Sequence, residues 1–168
     1  MLQIPSSITK ALKKSPFDNN YFCMHENMQK SLKKVVAGVD TYSSFHYSML
    51  INDLEICLKG FLLYKKESGE WNEPHPHYLT EDHKIMKLIE QVQKFAPLFD
   101  YSTQSDWNEL RKFVSGLCRQ YTTARYSVEV PFEDFVHLYN DFAMPIINKV
   151  YDSLQEKENN LDEFYFGL

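Results

Sequence analysis

Cysteine is scarce in this chain. Cys23, Cys57 and Cys118 are odd in number and form no Cys-x-x-Cys pair, so neither a disulfide framework nor a zinc ribbon is encoded. Cys57 and Cys118 fall inside expected helices, where a free thiol behaves as a small buried apolar group. Glycine is scarce too: five in 168 residues are few for an all-β chain with many tight turns. Long hydrophobic runs are absent. The start, MLQIPSSITKALKK, lacks the apolar stretch of a signal peptide, and nothing approaches about eighteen uncharged apolar residues. A reducing cytoplasm is therefore the expected setting, with no membrane span.

Several catalytic patterns are missing as well. No Gly-rich loop follows a strand, which removes P-loop and dinucleotide-binding readings. None of the six histidines has a Glu three residues before it, so a di-metal carboxylate bundle is not encoded. Ser, His and Asp lie scattered without a nucleophile context. His75 and His77, with His83 nearby, form only a weak loop pattern without cysteine or a convincing carboxylate. No metal and no cofactor are expected.

What is present is helix-forming pattern and large rings. The composition is 43% apolar and 24% charged, with twelve Phe and eleven Tyr. The length suits one domain over residues 1–168, with a core at about 25–155 that buries ~70% of the unfolded surface. The net charge of −5 is uneven: residues 1–40 carry six lysines against three acids, and residues 129–168 two lysines against nine. An acidic chain is a poor generic nucleic-acid binder, so any phosphate recognition must be local.

In order, residues 1–24 look irregular, with one helical turn around Ile8–Lys14. A first helix is predicted from about His25 to Ala37, stopped by Gly38, with Lys30, Lys33 and Lys34 on one face. A solvated basic face is preferred there over a phosphate-binding strip. The second helix, roughly Thr41–Lys65, is apolar almost all round, so it is central or packs on another subunit. Ser48, Asn52, Glu55 and Lys59 are its polar line. If exposed, Glu55 and Lys59 would be worth ~0.2–0.5 kcal/mol.

A loop from Glu67 to Tyr78 follows, and Thr80 should cap a third helix striped by Ile85, Leu88, Ile89, Val92 and Ala96 and ended by Pro97. His83 falls opposite that stripe. A fourth helix starts at Thr103 or Ser105 and carries Leu110, Val114, Leu117 and Tyr121 towards Arg125. Pro131 should open a fifth, striped by Phe132, Phe135, Val136, Tyr139, Phe142, Ile146, Val150 and Leu154, with a kink at Pro145. The tail, ENNLDEFYFGL, either folds back or docks elsewhere, and folding back is preferred. The fold class is all-α: an antiparallel up-and-down four-helix bundle with an extra short N-terminal helix.

The segment CRQYTTARYS, Cys118 to Ser127, ends the fourth helix with Arg125 on its core side. An unpaired guanidinium there is costly, so Arg125 pairs internally, for instance with Glu55, or faces a cleft. Arg forks onto phosphate, and a tyrosine such as Tyr126 stacks on a base or bonds a ribose. From the residues alone the internal ion pair is preferred.

These residues resemble the HEPN family (higher eukaryote and prokaryote nucleotide-binding). The second helix, NDLEICLKGFLLY, is similar to the family's Gln-Ala-Ala-Glu-x-Ala-x-Lys-x-x-Leu helix, with Glu55 and Lys59 on its Glu and Lys and Asn52 in place of Gln. PHYLTEDHKIMKLI resembles its His-Asp-Leu-x-x-Leu, with His83 on the His, Lys84 replacing the Asp and Leu88 on the last Leu. LCRQYTTARYS resembles its Leu-Tyr-x-x-Ala-Arg-Tyr-Pro, with Arg125 and Tyr126 matching and Ser127 replacing the Pro. The match covers roughly residues 40–155 in family order.

The resemblance implies an up-and-down bundle, commonly homodimeric, here through the hydrophobic helix 41–65. It also implies nucleotide or RNA binding, often beside a minimal nucleotidyltransferase or in toxin–antitoxin and defence systems. Many members are metal-independent ribonucleases carrying Arg, four to six residues, then His. Arg111, Arg119 and Arg125 meet no His at that spacing, so the proton-transfer group is missing. The expectation is a non-catalytic binding module: Arg125 holds a phosphate, Tyr126 and His83 line the base or ribose, and Glu55 with Lys59 fixes the Arg or adds a contact. The alternatives are a structural partner domain, using the second helix or the FYFGL tail, and a diverged ribonuclease using other residues.

Overall fold

The computed structural model describes residues 20–72, 84–124 and 129–154, and all regular structure among these is helical. Helix α1 spans Asn20–Val36, α2 Ser44–Glu67, α3 Ile85–Val92, α4 Gln104–Ala124 and α5 Phe132–His137. A π-helical segment, Leu138–Ala143, joins α5 to a last helix, α6, over 144–154.

Helix α1 ends where the sequence stops it. Gly38 adopts φ +71°, a left-handed conformation that costs glycine little. There its N–H donates to the Val35 carbonyl at 3.1 Å and that of Val39 to Lys34 at 2.8 Å. The leading helix is not a short one: it has 17 residues, whereas α3 has eight.

Helix α2 begins three residues later than its pattern suggests. Ser43 is the N-cap, its N–H donating to His46 Nδ1 at 3.0 Å, and this closes the start more firmly than Thr41 could. Leu50, Ile51, Leu54, Cys57, Leu58, Phe61 and Leu62 are all at most 2% exposed. Helices α1, α3, α4 and the α5–π rod all pack against α2. Its apolar circumference is therefore covered within the chain, and Phe45 at 60% is its one large apolar residue left substantially exposed.

Past α2, Trp71 is buried although it stands in what reads as a loop. Its N–H and that of Glu70 both donate to the Lys65 carbonyl, at 3.1 and 3.0 Å, which folds the chain back so the indole covers the core beside Phe95. Thr80, the expected cap, lies outside the described residues. Lys84 holds the N-cap position and helical structure starts at Ile85. The rest of the third stripe is as expected, with Ile85, Leu88, Ile89, Val92 and Ala96 fully buried. The helix ends before Pro97, where the Gln93 side chain clasps the Phe99 N–H and C=O, both at 2.9 Å.

Thr103 caps α4, accepting from the Asp106 N–H at 3.2 Å and donating to its carboxylate at 2.7 Å. Leu110, Val114, Leu117 and Tyr121 are its buried face. In the last rod the disturbance expected at Pro145 takes the form of the π segment. The Met144 N–H reaches back five residues to Tyr139, so the wide turn falls where proline removes the next donor. Phe132, placed in the buried stripe by its spacing, is 40% exposed and rests on Tyr42, ring centroids 5.3 Å apart.

Candidate functional site

Three of the four residues in the polar line of α2 are buried, Asn52 being only partly covered. Glu55 and Lys59 are 3% and 6% exposed and pair at 2.7 Å, one helical turn apart, and Ser48 is 3% exposed. The pair is thus no surface i, i+4 contact. Two charges out of water cost several kcal/mol before their attraction offsets it, and removing one partner costs about 3–5 kcal/mol.

This line faces α4. Ser48 Oγ lies 3.5 Å from the Tyr121 carbonyl, and Tyr47 donates its hydroxyl to Gln120 Oε1. Burial raises the Cys118 thiol pKa, and the nearby Glu55 carboxylate raises it further. The start of α2 meets the end of α4, so the two run antiparallel. Glu55 lies two turns further along α2 than Ser48, about 11 Å on.

Beyond α4 the chain is pinned again at the start of α2. Val130 donates its N–H to Ser44 Oγ and accepts from the Tyr42 hydroxyl, both at 2.9 Å. Arg125 and Tyr126 fall between these anchored ends in sequence. They and His83, like His75, His77, Ile8–Lys14, Thr80–Asp82 and the ENNLDEFYFGL tail, lie outside the described residues. Of the five expected site residues, Glu55 and Lys59 are therefore the two the structure places, and it places them together.

A second polar cluster was missed by the sequence reading. Asp53, fully buried on α2, receives His25 Nδ1 at 2.8 Å and the Gln29 amide, both from α1. Tyr139 of the π segment donates to Gln29 Oε1 at 3.3 Å. The signal was available: Asp53 has Met49, Leu50, Ile56 and Cys57 as its helical neighbours, so a carboxylate there required a partner from elsewhere. His25 borders a cavity of about 310 Å³ between α1 and α6.

A third feature is a groove between α4 and the rod. Two cavities of about 380 and 350 Å³ adjoin there, sharing Phe113, Asp141 and Phe142. Asp106, Glu109 and Asp134 complete an acidic lining that contains no Lys or Arg. Phe113 stands 46% exposed in it. Among the described residues no His, Cys, Asp or Glu grouping has the makings of a metal site, and no helix is long and apolar enough to cross a membrane.

Comparison with protein families, curated proteins and solved structures finds no match to this chain.

Proposed function

We propose that this chain is a non-catalytic HEPN-type module that binds a nucleotide or a short RNA, built on an antiparallel up-and-down four-helix frame and working in the cytoplasm. The observation that carries the reading is the buried Glu55–Lys59 pair on the side of α2 that faces α4. A buried ion pair is an expensive way to join two helices when apolar side chains would serve. It is understandable where a charged ligand is held nearby. Arg125 follows the end of α4, the natural place for a fork onto phosphate, with Tyr126 and His83 for base or ribose. A minimal nucleotidyltransferase is the partner such modules suggest.

The test is calorimetric titration with nucleoside triphosphates and short RNAs, comparing the intact chain with Arg125→Ala. Saturable binding that weakens about tenfold or more in the variant is expected. Equal, weak binding by both would sink the reading.

The acidic groove favours a second reading, a protein-interaction domain. Its carboxylates and exposed Phe113 suit a basic segment carrying apolar side chains. A Lys- and Arg-rich peptide bound by the intact chain and lost in Phe113→Ser would favour it over the nucleotide reading.

A further inference from the structure

The cavity between α1 and α6 carries an independent assignment. Lys30 and Lys33 stand on its α1 wall, one turn apart and exposed, and neither enters an ion pair among the described residues. Lys34, also in the last turn of α1, points out of the cavity lining and is free to complement the helix dipole. His25, also among the lining residues, is fixed from behind by Asp53, which holds its Nδ1 at 2.8 Å. Asn148 adds an amide from α6, and Tyr151 adds a phenol whose pKa burial raises well above the ordinary value, so it carries its proton at neutral pH. Glu26 is the single carboxylate among the lining residues.

We infer that this cavity binds the phosphate group of a small phosphorylated molecule. Two ammonium groups with an amide and a phenol beside them match a phosphate dianion, whose oxygens accept from several directions at once. A volume of about 310 Å³ sits at the lower end of small-molecule pockets, typically about 300–1,000 Å³. It accommodates a phosphate with a sugar-sized body and is too small for a nucleic-acid strand. The net charge of −5 also disfavours a polyanion as a generic ligand. The cation pair on α1 is thus more than a solvated face. This site is separate from the one proposed at the end of α4, since α1 and α4 each pack on α2 without comparable contact between them.

The experiment is calorimetry of the full chain with inorganic phosphate, run on the natural sequence, the Lys30→Ala/Lys33→Ala double variant and, as a control outside the cavity, Lys112→Ala on the exposed face of α4. Alanine at exposed helical positions preserves the helix, and circular dichroism checks this. Saturable binding is expected, about tenfold or more weaker in the double variant and unchanged in Lys112→Ala. Ribose 5-phosphate should compete, and an oligonucleotide without terminal phosphates should not. Absent saturation, equal affinity in the double variant, an equal loss in Lys112→Ala, or equal competition by the oligonucleotide would each overturn the assignment.

Discussion

At the scale of single residues, α2 is defined by how it handles its charges. Asp53, Glu55 and Lys59 are all buried on the central helix, each with a partner within hydrogen-bonding distance. Asp53→Ala removes the acceptor for both His25 and Gln29. A loss of about 3–5 kcal/mol is expected, measured as a lowered urea midpoint at unchanged slope. A loss below about 1 kcal/mol would mean that the α1 groups find water instead. The sequence makes Glu55 and Lys59 legible as a pair, because their spacing is visible. It does not make their burial legible, because that depends on which face α4 covers. Asp53 was readable from its apolar helical neighbours. The identity of its partners was not, since they come from 24 and 28 residues away.

At the scale of elements, stripes and caps carried the reading, and tertiary contacts set the boundaries. The α4 stripe Leu110, Val114, Leu117, Tyr121 is buried as its periodicity requires, and its N-terminus is the Thr103–Asp106 exchange. Thr103→Ala should cost about 1 kcal/mol and lower the thermal midpoint accordingly. An unchanged midpoint would mean the backbone groups are satisfied without the hydroxyl. The Thr80–Glu81–Asp82 cap text lies outside the described residues, among which α3 begins at Ile85 after Lys84. The π segment illustrates the limit of such reading. Pro145 announces a disturbance, but a kink and a widened turn satisfy the missing donor equally well on paper. Trp71 escaped because a loop residue is covered only when the chain folds back, here through the Lys65 carbonyl.

At the scale of the whole molecule, one apolar cluster draws on every described helix, with α2 at its centre. Many of the ionisable groups around it are phenols and thiols. Burial is the main cause raising the pKa of Tyr42, Tyr139, Cys57 and Cys118, and it pushes Tyr47 up to about 12. The folded chain therefore keeps these protons at pH values where the unfolded chain has released them. Stability from this source is complete below the ordinary thiol and phenol values of 9.0 and 10.0, and is lost as pH rises towards the folded ones. The urea midpoint should fall steadily from about pH 9 upward. A flat or rising profile would contradict the burial of these rings.

The same scale decides between surfaces. The chain divides its charge, with a basic mouth between α1 and α6 and an acidic groove beside α4. The nucleotide site proposed above lies at neither of these but along the α2–α4 seam. Hydrogen–deuterium exchange of the full chain, with and without saturating nucleoside triphosphate or short RNA, tests that placement directly. The account predicts slowed exchange in the last two turns of α4 and around Glu55 and Lys59 on α2. Slowing confined to the α1–α6 face or the acidic groove, or no change anywhere, would contradict it.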